Sequence, residues 1–180
     1  VRIATEKPYS EGVIEERKLF MELITGVQSR AQQDFFFAER KAAKIEGLPE
    51  GTEPRPVEKV GVLGAGTMGG GISMNFLSAG IPVTIVETAQ EALHRGTALM
   101  RRNYEATPAK GKLTAEQVEK AMGLLTPTLD FGALADCDLI IEAVYENMEI
   151  KKQVFGKVDK IAKPGAILAS NTSYLNIDEI

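Results

Sequence analysis

Cysteine is almost missing from this 180-residue chain, where Cys137 stands alone. A single thiol cannot close an internal disulfide, and such usage fits a reducing compartment. At the head of an apolar run, Cys137 reads as a small buried residue rather than a reactive thiol. Long apolar runs are missing as well, since none approaches the roughly 20 residues that a membrane span needs. Basic excess is missing too: the formal net charge is -4 and the pI about 5.2. That balance disfavours nucleic acid or an anionic membrane as the main partner. The phosphate loop G-x-x-x-x-G-K-[ST] does not occur, which disfavours an ATPase. There is no internal repeat, and no metal site is expected. Histidine occurs once, as His94.

What is present is an ordinary globular composition, 44% hydrophobic and 26% charged, enough for one full domain and an attached piece. The chain begins at Val1 without methionine and stops at Ile180 in what reads as the opening of a helix. The expectation is part of a longer protein, in which targeting signals cannot be read.

Residues 1–44 read as helical. Phe20, Leu23, Ile24 and Val27 fall at i, i+3, i+4 and i+7 on one helix face. Gly26 should loosen or end that helix, and Ser29 with Gln32 offers a capping-box restart. The run Phe35–Phe37 is too apolar for a solvated helix and should pack on something, as a docking element without chemistry. Residues 45–57 hold Gly47, Pro49, Gly51, Pro54 and Pro56, which mark an extended connector and a domain boundary. From residue 58 short apolar runs alternate with helical stretches. Strands are predicted at Val60–Leu63, Pro82–Val86, Leu125–Leu129, Leu139–Val144 and Ala166–Ala169, with helices over 67–79, 89–104, 115–123 and 148–162. That alternation predicts an α/β fold, a Rossmann-type doubly wound parallel sheet preceded by a helical linker segment.

Six glycines fall within thirteen positions from Gly61. Gly64, Gly66 and Gly69 form G-x-G-x-x-G between a predicted strand and a predicted helix. Gly64 suits the tight turn, Gly66 the backbone approach of a pyrophosphate, and Gly69 close helix–strand packing. The helix start adds free N–H groups and a positive dipole end. Glu87, 18 residues past Gly69 at the end of the next strand, can accept hydrogen bonds from an adenosine ribose. A 2′-phosphate at roughly 4 to 6 Å would meet repulsion on the order of 1 to 4 kcal/mol, so NAD should be preferred to NADP. Gly70 and Gly71 receive only a packing or helix-start reading.

Strand ends at the carboxyl side of such sheets carry ligands, and Glu142, Glu146 and Asn147 are expected there. Lys151 lies in the first turn of the following helix, a poor place for a cation. It is either a partner for an anion or an ordinary surface lysine. Ser170, Asn171, Thr172 and Ser173 follow an apolar strand, and either bind a ligand's polar groups or build a local turn. His94 reads as an exposed helix residue without a catalytic role.

The stretches GVLGAGTMGGGI, VTIVE, DLIIEAVYENMEIKKQVF and SNTSYLNIDEI, in that order and spacing, resemble the NAD-binding domain of L-3-hydroxyacyl-CoA dehydrogenases. The leading ERKLFMELITGVQSRAQQDFFFAERKAAKI resembles the helical segment that joins a hydratase/isomerase region to that dehydrogenase in multifunctional β-oxidation enzymes. The resemblance implies NAD as cofactor, a 3-hydroxyacyl-CoA as substrate, and a hydratase region and C-terminal helical domain in the same polypeptide. It implies a catalytic position for Ser173 beside the nicotinamide, with Asn171 its neighbour. It implies cofactor contacts from Gly64, Gly66, Thr67, Met68, Gly69, Glu87, Ala143, Val144, Glu146 and Lys151. Lys110 or Lys112 corresponds loosely to lysines that touch coenzyme A. The family's general base, a histidine held by a glutamate, would lie beyond Ile180, so these residues alone should be inactive. The compartment implied is the cytoplasm for a bacterial parent, the mitochondrion or peroxisome for a eukaryotic one. Two other readings stand beside it: a dehydrogenase of a small hydroxy acid, and a non-catalytic NAD-binding or docking module.

Overall fold

The structure, a computed structural model, describes residues 2–42, 44–106 and 114–180. The chain divides into two compact units, Val1–Pro54 and Arg55–Ile180.

The first unit is built of three helices, α1 (Arg2–Glu6), α2 (Tyr9–Ile24) and α3 (Val27–Ala42). Helix α2 stops where Gly26 predicts a break, and the Thr25 hydroxyl closes it by donating to the Met21 carbonyl at 2.8 Å. The restart differs from expectation. Helix α3 begins at Val27, because the Gly26 carbonyl already accepts from the Arg30 N–H at 3.1 Å. Ser29 therefore sits inside the helix, where its hydroxyl accepts from the Gln33 amide at 3.0 Å, and caps nothing. Among the described residues Phe35, Phe36 and Phe37 remain 70, 46 and 63% exposed. Phe36 meets Phe37 edge to face, and the Arg40 guanidinium lies 3.4 Å from the Phe36 ring centre.

The second unit is a five-stranded, all-parallel sheet ordered β3-β2-β1-β4-β5. Its strands are β1 (Val60–Leu63), β2 (Val83–Val86), β3 (Leu125–Thr128), β4 (Leu139–Glu142) and β5 (Ile167–Ser170). The helices are α4 (Thr67–Ser78), α5 (Gln90–Ala106), α6 (Ala115–Gly123) and α7 (Met148–Ile161). Alternation along the strands sends Val60, Val62, Val83 and Ile85 to one face, against Leu77, Leu93, Met100, Tyr104 and Val118. Leu63, Val86 and Ile140 go to the other face with Leu134, Cys137 and Val158. Burial on both sides explains why β1 and β2 are uninterruptedly apolar apart from Gly61 and Thr84. Cys137 lies in this second core, and burial pushes its thiol up to about 11, which makes it inert.

Four strands, β2 to β5, differ from prediction by one or two residues at an end, and for β4 and β5 the reason is local. β4 stops at Glu142 because the Glu142 carboxylate accepts the Val144 N–H at 2.7 Å and turns the chain. β5 begins one residue late because Gly165, at φ 82°, completes a turn before the Ile167 N–H reaches the Asp138 carbonyl at 2.8 Å.

At the amino edge of the sheet Asp138 fixes the entry into β1. Its carboxylate accepts the Glu58 and Lys59 N–H groups at 2.8 and 3.0 Å, and Lys163 Nζ at 2.6 Å. Lys163 first, then the two backbone donors, hold this carboxyl at about 2 against an ordinary 3.8. A carboxylate depressed on folding stabilises fully above its unfolded pKa and loses that contribution as pH falls toward its folded one. Stability should therefore decline between about pH 5 and pH 2. Asp138→Asn should flatten that decline in urea titrations; an unchanged slope would refute the assignment.

Candidate functional site

The sequential order of the parallel strands reverses between β1 and β4, and the carboxyl edge of such a sheet opens a crevice there. One wall is the turn from β1 into α4. Gly64 adopts φ 98°, and a β-carbon on it would lie 2.7 Å from the Ala143 carbonyl oxygen. A β-carbon on Gly69 would lie 1.9 Å from the Gly64 carbonyl oxygen, so α4 sits directly on the turn. Gly66 is the reverse case. It is exposed, and a β-carbon there would meet nothing within 4 Å. As N-cap of α4 it also offers no side-chain acceptor to the first-turn N–H groups. Thr67 and Met68 are exposed in that first turn. The wall thus combines open space, bare amide donors and the positive end of a twelve-residue helix, the requirements for holding an anion.

Glu87 follows β2 and reaches back across this loop. Its carboxylate accepts the Ala65 N–H at 3.2 Å and the Thr88 N–H at 2.8 Å. The negative charge is therefore pinned beside Gly66.

The second wall is formed by the ends of β4 and β5 and the start of α7. Here the structure decides the two open readings. Lys151 is neither a surface lysine nor free for an outside anion, because it is completely buried. Its ammonium donates to Glu142 Oε1 and Oε2 at 2.8 and 2.7 Å and lies 3.1 Å from Glu146 Oε2. The unfavourable position in the first turn of α7 is offset by two carboxylates of the same chain. Glu142, expected among ligand-facing groups, is buried too, and takes a further hydrogen bond from the Ser170 hydroxyl at 2.5 Å. Asn147 is a helix cap, its Oδ1 accepting the Ile150 N–H at 3.1 Å.

Ser170, Asn171, Thr172 and Ser173 split into two pairs. Ser170 donates to Glu142, and Thr172 donates to Glu146 Oε1 at 2.5 Å, so alternate residues face into the protein. Ser173 contributes its N–H to Glu146 Oε1 at 3.0 Å. The Asn171 N–H donates to the Glu142 carbonyl at 2.8 Å, while the Ser173 hydroxyl and the Asn171 side-chain amide make no hydrogen bond among the described residues. The motif is thus both a turn and a ligand-binding candidate, with the second role confined to Asn171 and Ser173. Thr172 first, then the Ser173 N–H and Lys151, hold the Glu146 carboxyl at about 2. Ala143 and Val144 line the seam between the walls, the Ala143 N–H donating to the Leu63 carbonyl at 2.8 Å.

His94 is exposed on α5, its Nε2 2.7 Å from the Gln90 amide nitrogen. Lys110 and Lys112 lie outside the described residues. For Glu142 the sequence predicts the place at the strand end but not the pairing with Lys151. The sequence signal for that pairing is an acidic residue closing an apolar strand nine positions before a lysine with an unfavourable helix position.

Residues 59–180 match the family model described as 3-hydroxyacyl-CoA dehydrogenase, NAD binding domain. A peroxisomal fatty acid β-oxidation multifunctional protein of Arabidopsis thaliana is 36% identical over 170 residues, covering 94% of this chain and 24% of its own length. The human peroxisomal bifunctional enzyme is 39% identical over 185 residues, covering all of this chain and 25% of its own. The crystal structure of 3-hydroxybutyryl-CoA dehydrogenase from Escherichia coli K12 superposes with TM-score 0.67 at 37% identity, over 69% of this chain and 26% of the other. The chain spans about a quarter of the length of the curated relatives it matches.

Proposed function

The chain belongs to the family of 3-hydroxyacyl-CoA dehydrogenase NAD-binding domains, and from that we propose that it holds the cofactor in an enzyme oxidising L-3-hydroxyacyl-CoA to 3-ketoacyl-CoA in fatty-acid β-oxidation. The parent polypeptide also hydrates enoyl-CoA, with residues 1–44 closing its hydratase region and residues 45–57 linking it to the domain from residue 58. This reading extends the names of the multifunctional relatives to a chain that spans a quarter of them. The parent works in the peroxisome if it is eukaryotic, as those relatives do by name, and in the cytoplasm if it is bacterial.

The observation that carries the proposal is the uncovered amide wall at Gly66 with the Glu87 charge fixed beside it. Gly66, Thr67 and Met68 present backbone donors to the diphosphate, Gly64 and Gly69 shape the turn that aims them, and Glu87 accepts from the adenosine ribose. Ala143, Val144 and Glu146 form the floor beneath the nicotinamide half, and the buried Lys151 supports Glu146 from below. NAD, when bound, supplies the hydride acceptor. Asn171 and Ser173 orient the reacting end, with Ser173 hydrogen-bonding the substrate's 3-oxygen. The hydroxyl proton passes to a base outside these 180 residues, since the sole histidine lies on α5.

Fluorescence titration tests this directly. NADH emission should rise on adding the chain, and NADPH should bind at least about tenfold more weakly. Glu87→Gln should narrow that gap. The chain alone should not oxidise NADH with acetoacetyl-CoA. Equal NADPH binding would refute the Glu87 role, and turnover would refute the location of the base.

A further inference from the structure

We propose that Glu142 is a positioning residue of this site, setting the place of Ser173 through Lys151 and Glu146. The inference rests on the reading of Ser173 as the residue that meets the substrate oxygen.

Glu142 and Lys151 are both fully buried, and ions are removed from water at a cost that only good pairing offsets. Their geometry gives that pairing, with both carboxylate oxygens within 2.8 Å of the ammonium. The pair nevertheless carries a third charge, because Lys151 also serves Glu146 at 3.1 Å. Two carboxylates thus share one cation, and each has its own task. Glu142 takes the Ser170 hydroxyl and the Val144 N–H, tying the ends of β4 and β5. Glu146 takes the Thr172 hydroxyl and the Ser173 N–H, both on the loop that leaves β5.

The route from Glu142 to Ser173 has three consecutive contacts, none longer than 3.1 Å. Glu142 itself sits at the sheet position next to both halves of the crevice, paired in register with Leu63 of β1 and Ser170 of β5. A buried carboxylate needs several partners, and those of Glu142 lie at the ends of β4 and β5 and in the first turn of α7. Glu142 is the fixed point from which the lysine is aimed at a second carboxylate, and that carboxylate carries the loop.

Two arms test the inference. In this chain, without cofactor or substrate, Glu142→Gln keeps an acceptor in place but removes the charge that holds Lys151. The Ser173 amide should then lose about tenfold of its hydrogen-exchange protection, while amides of β1 and β2 keep theirs. In the full-length enzyme, Glu142→Ala should lower kcat about 30-fold with the KM for NAD within about threefold, the effect of a displaced orienting group. Glu142→Asp, which keeps the charge, should recover part of that loss, whereas Glu142→Gln should not. The double variant with Ser173→Ala should fall no further than the slower single variant, because both act at one point. Unchanged Ser173 protection, a kcat near wild type in a folded variant, or multiplying losses would each overturn the proposal. Absence of hydroxyacyl-CoA turnover in the wild-type enzyme would instead refute the function, and the exchange arm would still judge Glu142.

Discussion

Gly69→Ala should abolish measurable dinucleotide binding and destabilise the second unit by about 3 kcal/mol or more. The added β-carbon would lie 1.9 Å from the Gly64 carbonyl oxygen, a backbone atom that cannot rotate away. Relief requires lifting the start of α4 off the turn, which removes the first-turn N–H groups from the diphosphate position. Gly66→Ala is the matched control, since its β-carbon meets nothing within 4 Å. That variant should keep its stability to within about 1 kcal/mol, the scale of an N-cap change. It should still lose at least about tenfold in NADH affinity, because the new methyl occupies ligand space. Urea midpoints and NADH titrations on both variants separate the two effects. Normal NADH binding by Gly66→Ala would show that the open space is not where the dinucleotide lies.

Lys151→Met should cost about 3 to 5 kcal/mol, the range for removing one partner of a buried ion pair. The methionine fills a similar volume but leaves Glu142 and Glu146 facing each other without a cation. Adding Glu142→Gln should return part of the loss, since the amide still accepts a hydrogen bond and one uncompensated charge disappears. Unfolding midpoints of the wild type, both single variants and the double variant give the coupling directly. A loss below about 1 kcal/mol for Lys151→Met would mean that the trio is solvated in solution.

These two predictions differ in how far they could be foreseen from the amino-acid order. The glycine wall was legible because its causes are local: a strand, a turn and a helix within about one βα unit, each with its own residue signature. The five strands were legible for the same reason, as apolar runs between turn residues. The lysine cluster joins Glu142, Glu146, Lys151, Ser170 and Thr172, up to 30 positions apart, and no spacing rule reports their meeting. Burial of a lysine also runs against its usual exposure, so the surface alternative was the natural one for Lys151 until the packing decided otherwise. Ser29 failed as a cap because a cap motif competes with a helix that has already restarted at Val27. The motif pair of glycine loop and acidic ribose partner left a small hydroxy acid open as substrate; the match to the NAD-binding domain of 3-hydroxyacyl-CoA dehydrogenases supports the acyl-CoA reading proposed above.

Where β1 turns beneath the crevice, Gly64 rests against the Ala143 carbonyl with no side chain between them. Main chain presses on main chain at the base of the cleft, and nothing there can yield by a change of rotamer. The base is a fixed anvil. Adaptation to a different guest must come from the rim, where Met68, Tyr145 and Tyr174 stand in solvent and are free to vary.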